Sequence, residues 1–594
     1  MSTQAEFAAT LVDEWARSGV RDAIVCPGSR SSPLAVALLA DRRLRVHVRL
    51  DERSAGFFAI GCALASERAV VVLTTSGTAA VELHPAVVEA DLAGVPLVVC
   101  TADRPPSLHG IGAPQTVGQQ RLFGPVVRHY AEPGVARDAD RGAWRSLASR
   151  LVAESLAGPR GPGPVHVNLA FVEPLSGAVT AAPPARAGEG EPWHAVSRGG
   201  AASDEAVEAF VEHAFRHDRG VLVAGEGAAG AAGGGVAAVL GLARALGWPV
   251  LADVRAWPRT PDPHAVVAAD GVARSLAALD GLRPDVVVHL GSPHASKALA
   301  RWCAATAELG TDHVLVDPFG RFQDPERVAS TVVAADPGVL AARATARLAG
   351  RAGRDEQWLG RWRTADAAAQ RAIGDVLAPI GRCTEPGVAR ALHASVPEGA
   401  TLVVSSSMPV RDLEWFAAAR PGAPRVLANR GANGIDGVTS TVLGAAAARE
   451  RGAGPVVGLI GDLAFFHDLS GLVWGAAERP PDATLVVVDN AGGGIFDFLS
   501  YPSELDPATY ERAFATPQRS DVGAVARALG CTVHEVHEIR VLGRELAAAS
   551  SAGDGIHVVH VRTDRSRNVS LHGELERAIV ASVDAAVGSG PDGS

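Results

Sequence analysis

The segment best suited to chemistry is GLIGDLAFFHDLSGLVWGAAERPPDATLVVVDNAGGGIF, in which two apolar runs each end in a polar turn. One run ends at Gly461–Asp462 and the other at Asp489–Asn490, before three glycines. Adjacent parallel strands would bring the two turns together. Mg²⁺ prefers six oxygen ligands in near-octahedral geometry, and some of them can be oxygens of a bound diphosphate. Asp462, the Asn490 side chain and the Gly492 carbonyl could supply the others, so the segment predicts a metal and diphosphate site. An ordinary strand-end aspartate and a turn asparagine remain the alternative.

Glu52 is the second candidate, in the segment VHVRLDERSAGFFAIGCALA. It follows a predicted strand and precedes an apolar helix rich in Ala and Gly. Partial desolvation in such a setting keeps a carboxyl group available as a hydrogen-bonding partner for a ligand. For this motif alone, a solvated glutamate at a helix start is the alternative.

Three series of alternating strands and helices must position these motifs. Short β-branched runs such as DAIVC, AVVVLTTSG and VPLVVCTAD alternate with Ala- and Leu-rich stretches, a pattern typical of parallel α/β sheets. Each run ends in a turn rich in Gly, Ser, Thr or Asp, where open α/β sheets bind their ligands. We predict an α/β fold with three doubly wound parallel-sheet domains, at 1–180, 200–345 and 357–588.

The middle series carries a weaker signal. A Pro-, Gly- and Ala-rich segment before it, 178–200, is predicted to be a linker. Within the series, GEGAAGAAGGG is similar to a dinucleotide-binding loop but lacks the GxGxxG spacing. We therefore expect a Rossmann-like domain that binds no nucleotide, with a working nucleotide site as the alternative.

Composition limits the class of protein. Apolar residues make up 47% of the chain without an uninterrupted stretch of membrane-spanning length, and the opening segment MSTQAEFAATLVDEWARSGV predicts an amphipathic helix rather than a signal peptide. The six cysteines form no CxxC pair, which disfavours a zinc site or a disulfide framework. The formal charge of −10 includes no basic block, which disfavours nucleic acid and anionic membranes as partners. We expect a soluble, cytoplasmic protein.

Several motifs together resemble one known family. The Gly-Asp and Asp-Asn turns resemble the thiamine-diphosphate motif, although Leu463 stands where many such enzymes have glycine. With PGSRSSPL, DERSAGF, TADRPP, SSSMPVRDLE and NRGANGIDG, the chain resembles over nearly its whole length the 2-succinyl-5-enolpyruvyl-6-hydroxy-3-cyclohexene-1-carboxylate (SEPHCHC) synthases of menaquinone biosynthesis. That family of transferases decarboxylates 2-oxoglutarate and adds the succinyl carbanion equivalent to isochorismate by conjugate addition.

The resemblance implies thiamine diphosphate and Mg²⁺, or Mn²⁺, as cofactors. Glu52 would hydrogen-bond the pyrimidine ring nitrogen of the cofactor, and the bulky side chain of Ile435 would bend it. Further cofactor contacts are implied at Gly461, Leu463 and Ile495. Asp462 and Asn490 would contact both the metal and the cofactor.

The resemblance also implies how the domains share the site. The first domain would bind the pyrimidine ring, and the third would bind the diphosphate and Mg²⁺. In this family the cofactor lies between the pyrimidine-binding domain of one subunit and the diphosphate-binding domain of its neighbour. A homodimer or a dimer of dimers is therefore expected.

A set of substrate contacts follows from the resemblance as well. Both substrates are dicarboxylates, which suit charge-assisted and bidentate contacts with arginine. Matched position by position, the set is Ser29, Arg30, Arg104, Gln115, Lys297, Ser407, Arg411, Arg430 and Phe496. The family often places arginine after the lysine, where this chain has Ala298, so the clamp from the middle domain is expected to be weaker. For any single arginine, a structural ion pair is the alternative.

Two other functions stay open at this point. Another thiamine-diphosphate enzyme, such as an acetolactate synthase or a 2-oxoacid decarboxylase, would lack this array of strand-end arginines. A nucleotide-binding or regulatory protein built on Rossmann-like domains would not need Glu52, Asp462 and Asn490 together. Absence of thiamine diphosphate from protein purified with Mg²⁺ would favour the regulatory protein.

Overall fold

The computed structural model describes residues 2–176, 182, 184–185, 190–196, 202–230, 235–256, 259–350 and 355–588. The predicted linker at 178–200 lies for the most part outside these residues. Three six-stranded sheets make up the described chain, and every strand pairing named for them is parallel. The fold class predicted from the sequence is thereby confirmed.

The first sheet has the strand order β2-β1-β3-β4-β6-β5. Its inner strands β1, β3, β4 and β6 are buried at every position, which explains their continuous apolar runs. Its elements are α1 (Thr3–Arg17), β1 (Asp22–Val25), α2 (Ser32–Ala40), β2 (Arg45–Val48), α3 (Glu52–Ser66), β3 (Val70–Thr74), α4 (Thr78–Glu82), α5 (His84–Ala93), β4 (Leu97–Asp103), β5 (Tyr130–Ala131), α6 (Arg141–Ala157) and β6 (Val165–Ala170), with 3₁₀ turns at Pro106–Leu108, Gly124–Val126 and Asp138–Asp140.

The second sheet has the order β12-β11-β10-β7-β8-β9. Its elements are α7 (Asp204–Phe215), β7 (Gly220–Ala224), α8 (Gly235–Leu246), β8 (Val250–Ala252), β9 (Ala265–Val266), α9 (Ala269–Ala273), α10 (Leu276–Gly281), β10 (Val286–Leu290), α11 (Lys297–Glu308), β11 (Asp312–Asp317), β12 (Thr331–Ala334) and α12 (Pro337–Leu348). The Gly-rich loop after β7 is only partly among the described residues, and the expectation that it binds no nucleotide stays a prediction.

The third sheet repeats the topology of the first, in the order β14-β13-β15-β16-β18-β17. Its elements are α13 (Glu356–Leu377), α14 (Glu385–Ser395), β13 (Thr401–Val404), α15 (Met408–Phe416), β14 (Arg425–Ala428), α16 (Val438–Ala447), β15 (Val456–Gly461), α17 (Asp462–His467), β16 (Ala483–Asp489), α18 (Tyr501–Glu504), α19 (Pro507–Tyr510), α20 (Val522–Ala528), β17 (Thr532–Val536), α21 (Ile539–Ser551), β18 (Ile556–Arg562) and α22 (Arg565–Gly588), with 3₁₀ turns at Leu469–Leu472 and Gly494–Phe498 and a π turn at Glu511–Ala515.

The first and third domains meet where α3 packs against α16. A Cβ atom on Gly61 would lie 2.0 Å from the Thr441 carbonyl oxygen, and one on Gly444 would lie 1.9 Å from the Phe58 carbonyl oxygen. Glycine at both positions is therefore required for the two helix backbones to approach this closely. The contact fixes Glu52, the first residue of α3, relative to the third sheet of the same chain.

Two helices of the predicted third domain contribute to the core of the middle domain. Trp358 and Trp362 of α13 and Leu575 of α22 belong to the same apolar cluster as Val221 and Val287 of the second sheet. The three domain ranges predicted from the sequence each enclose one sheet, and their exact limits stay predictions. No described helix is long and apolar enough to cross a bilayer.

Candidate functional site

A cavity of about 140 Å³ lies at the carboxyl ends of β13, β15 and β16. We call it the metal-motif cavity because Asp462, Asn490 and Gly492 all line it. In the third sheet the chain order reverses between β13 and β15, which is where open α/β sheets place their ligand-binding crevice. The other predicted residues on its wall are Ser407, Ile435, Gly461, Leu463, Ile495 and Phe496.

Asp462 lines this cavity, and two backbone N–H groups donate to its carboxyl group. Gly492 N–H donates to Oδ2 at 2.7 Å, and Leu463 N–H donates to Oδ1 at 2.8 Å. Burial raises the pKa of Asp462 to about 7, and the negative charge of Asp489 adds to the effect. A divalent cation beside the carboxyl group would offset both the burial and the repulsion from Asp489, and it would favour the ionised form.

Asn490 lines the same cavity. Its Nδ2 donates to Oε1 of Glu385 at 2.8 Å, whereas its buried Oδ1 has no hydrogen-bond partner among the described residues. A buried acceptor without a partner costs free energy, and a cation ligand would satisfy it. Together with the Asp462 carboxylate and a backbone carbonyl, this oxygen fits the all-oxygen ligation of Mg²⁺.

Glycine is required at position 492 for this arrangement. Its φ is +135°, and a Cβ atom there would lie 2.3 Å from the Ala515 carbonyl oxygen. Ser407, which also lines the cavity, adopts φ +74° although it carries a side chain. Strained backbone of this kind costs about 1–3 kcal/mol and is concentrated at functional sites.

A second cavity, of about 250 Å³, lies between the middle and third domains. We call it the cationic cavity because Lys297, Arg411 and Arg430 all line it, although Asp324 and Glu326 do so too. Burial lowers the pKa of Arg430 to about 10, and the nearby positive charges of Arg255 and Arg411 contribute. Crowded and desolvated guanidinium groups favour an anionic ligand.

The remaining predicted substrate residues cluster at the carboxyl end of the first sheet. Arg30 is 8% exposed and donates to the Phe171 carbonyl at 3.0 Å. Arg104 donates to the Ser76 hydroxyl, and Gln115 donates to the Ser76 carbonyl at 3.0 Å. Burial lowers the pKa of Arg104, and the positive charge of Arg30 adds to the effect. Ser29, the residue before Arg30, is exposed.

Glu52 lies in the first domain, at the start of α3. Burial raises the pKa of its carboxyl group, and the negative charges of Asp51 and Glu82 add to the effect. Within the described chain, Glu52 does not line the metal-motif cavity, whose walls come from the third domain. The structure thus divides the predicted site residues into a first-domain group and a group shared by the middle and third domains.

Sequence reasoning missed three buried residues at or beside the metal-motif cavity, namely Glu385, Asp412 and His572. Glu385 and Asp412 line it, and Asp412 Oδ1 lies 2.7 Å from His572 Nε2. Burial raises the pKa of Glu385 to about 7, with the charge of Asp412 adding to the effect. These residues come from α14, α15 and α22, so no local motif in the sequence links them.

Comparison with known proteins gives matches along the whole chain. Residues 5–122 match the N-terminal TPP-binding domain of thiamine pyrophosphate enzymes, residues 187–404 their middle domain, and residues 415–561 their C-terminal TPP-binding domain. A 2-succinyl-5-enolpyruvyl-6-hydroxy-3-cyclohexene-1-carboxylate synthase from Thermobifida fusca is 40% identical, over 98% of this chain and 100% of the relative. One from Myxococcus xanthus is 39% identical, over 98% of each chain.

Comparison of structures agrees at the level of the fold. The thiamine diphosphate-dependent 4-hydroxybenzoylformate decarboxylase of Rhodococcus jostii RHA1 superposes with a TM-score of 0.70, covering 94% of this chain and 99% of that one. The two sequences are 18% identical, so this likeness concerns the architecture alone. The thiamine-diphosphate enzyme type predicted for the fold is confirmed.

Proposed function

The chain belongs to the family of 2-succinyl-5-enolpyruvyl-6-hydroxy-3-cyclohexene-1-carboxylate synthases, and from this premise we propose that it joins 2-oxoglutarate to isochorismate. 2-Oxoglutarate would lose CO₂, and the resulting succinyl carbanion equivalent would add to the isochorismate ring. The observation that carries the proposal is the convergence of Lys297, Arg411 and Arg430 in the cationic cavity. Two dicarboxylates require such a concentration of positive charge.

Mg²⁺ and thiamine diphosphate would be held in the metal-motif cavity. The donor set there consists of the Asp462 carboxylate, the unpartnered Oδ1 of Asn490 and the Gly492 carbonyl. The apolar side chains of Ile435 and Ile495 would flank the cofactor. When bound, thiamine diphosphate supplies the electron sink that decarboxylation of a 2-oxoacid needs.

The carboxyl group of Glu52 would hydrogen-bond the pyrimidine nitrogen of the cofactor. Its raised pKa favours a proton shared with that nitrogen rather than a fully solvated carboxylate. Because Glu52 does not line the metal-motif cavity of its own chain, we infer that it acts in the site of a second copy. The proposed assembly is therefore a homodimer with two shared sites.

Carboxylate groups of the substrates would meet two sets of donors. Lys297, Arg411 and Arg430 would act from the chain that holds the metal. Arg30 and Arg104 would act from its partner, together with Ser29 and Gln115. Ser407 and Phe496, on the wall of the metal-motif cavity, would lie next to the reacting carbon atoms.

The test is an incubation of the protein with 2-oxoglutarate, isochorismate, thiamine diphosphate and Mg²⁺, followed by mass spectrometry. The expected product has the combined mass of both substrates less CO₂. Pyruvate in place of 2-oxoglutarate is the matched control, because it lacks the second carboxylate. An equal yield with pyruvate, or no adduct from protein shown to bind the cofactor, would overturn the proposal.

A further inference from the structure

The segment 430–436 forms part of the wall between the two cavities. Arg430 lines the cationic cavity, and Ile435 lines the metal-motif cavity. The segment begins one residue after Asn429, which follows β14, and it contains no helical or strand residue. Its backbone must therefore be fixed by contacts from outside.

Glu89 of α5 supplies such a contact from the first domain. Its Oε1 accepts from Gly431 N–H at 2.7 Å and its Oε2 accepts from Ala432 N–H at 2.6 Å. The residue is 3% exposed. Both carboxylate oxygens thus hold consecutive peptide groups, immediately after Arg430, in a medium that strengthens hydrogen bonds to a charged acceptor.

The fit between α5 and the segment is close. A Cβ atom on Gly431 would lie 2.7 Å from the Glu89 carbonyl oxygen and 2.8 Å from Ala93 N. Only glycine therefore lets the peptide reach the carboxylate. The negative charge of Glu89 also acts on Arg430 by favouring its charged form, against the repulsion from Arg255 and Arg411.

We propose that Glu89 is a positioning residue that holds the segment 430–436 so that Arg430 is aimed at a substrate carboxylate in the cationic cavity. This inference rests on the proposed function. It assigns to the first domain a role in the substrate site of its own chain, beside the role of Glu52 in the site of the partner. Arg430 contacts substrate, and Glu89 acts through it.

Glu89→Gln tests the inference because the amide keeps one acceptor and turns an N–H donor towards the second peptide N–H. Loss of one charge-assisted hydrogen bond predicts a roughly tenfold rise in KM for the substrate that Arg430 holds. That substrate is identified independently as the one whose KM rises in Arg430→Ala. We expect kcat and the Kd of thiamine diphosphate to change by less than about threefold, because the metal ligands are untouched.

A double-mutant cycle separates positioning from a general loss of structure. In the Arg430→Ala background, Glu89→Gln should raise KM little further, because the group that it positions is gone. Glu67→Gln is the matched control. Glu67 is also a first-domain carboxylate, and it pairs at 2.8 Å with Arg425, the exposed first residue of β14. The control substitution should leave KM unchanged. If Glu89→Gln and Arg430→Ala instead had additive effects on KM, the inference would be overturned.

Two further measurements test the inference even if Glu89→Gln does not fold or the protein lacks the proposed activity. Glu89→Asp keeps the charge but cannot reach both N–H groups, so it should raise the same KM even if Glu89→Gln does not fold. Hydrogen exchange at the amides of Gly431 and Ala432 should be faster in either folded variant, whatever the substrate is. Slow exchange in the variant would overturn the inference, whereas a wild-type chain that makes no adduct would overturn only the proposed function.

Discussion

Asp462 and Asn490 show how two separate turns come together at one cavity, where we propose that they bind a metal ion. Asn490 Oδ1 is buried and lacks a partner among the described residues, and burial raises the pKa of Asp462 although two backbone N–H groups donate to its carboxyl group. A divalent cation would stabilise both side chains. We expect Asp462→Ala to weaken binding of thiamine diphosphate in the presence of Mg²⁺ by more than about tenfold. Titration calorimetry measures the change, with Asp554→Ala, a 67% exposed carboxylate of the same domain, as the control. Unchanged affinity would remove Asp462 from the ligand set.

Glu52 allows a different prediction, since in the proposed site it would contact the cofactor but not the metal. Glu52→Gln keeps the shape of the side chain and loses its acid–base function. We expect the variant to bind thiamine diphosphate as the parent does and to lose about 10²–10⁴-fold in turnover. Exchange of the C2 proton of the bound cofactor, followed by NMR, should fall with it. Parental exchange and turnover would leave Glu52 a structural role only.

Local motifs and long-range contacts differ in how far the sequence predicts them. The turns with Asp462 and Asn490 were predictable because parallel strands place their carboxyl ends at one edge of the sheet. Glu385 and Glu89 were not, because each acts on a residue more than 100 positions away. Nothing in the flanking sequence marks them, so only the packing of the helices identifies them.

Among the helices, α13 shows that chain order does not determine which core an element joins. It lies almost entirely inside the range predicted for the third domain, but its apolar residues Trp358 and Trp362 join the cluster of the middle domain. The sequence places α13 beside the third series of strands in chain order, whereas burial of apolar area decides which domain it covers. The strands of all three sheets were easier to predict, since continuous apolar runs are typical of strands buried on both faces.

Asp366 of α13 gives a prediction about pH. Its Oδ1 accepts from Val267 N–H at 3.0 Å and from Ala268 N–H at 2.7 Å, and burial raises its pKa to about 6. A carboxyl group whose pKa is raised on folding stabilises the fold fully below its unfolded value near 3.8, and this contribution is lost as pH rises through 6. Asp366→Asn keeps the Oδ1 acceptor and cannot ionise.

We therefore expect Asp366→Asn to be more stable than the parent at pH 7.5, by roughly 1 kcal/mol after allowance for partial exposure, and about equally stable near pH 4. Denaturant unfolding of both proteins at the two pH values measures the difference, in which all other titrating groups cancel. If the difference in free energy of unfolding between the two proteins did not change with pH, Asp366 would have an ordinary pKa.

Within the described chain Glu52 does not line the metal-motif cavity, although α3 of the first domain packs closely against α16 of the third. In the proposed homodimer, each chain would give its first domain to one site and its third domain to the other. Glu52→Gln and Asp462→Ala should consequently complement each other. A heterodimer of the two variants has one site with both substitutions and one site with neither.

Co-expression of the two variants with different affinity tags allows the heterodimer to be isolated by tandem purification. We expect it to show about half the parental activity, because one of two sites is intact, while each variant homodimer is nearly inactive. If each chain built its site alone, every site in the heterodimer would carry one substitution, and mixing would restore nothing. Analytical ultracentrifugation gives the mass of the active assembly. Full activity of a monomer would also exclude shared sites.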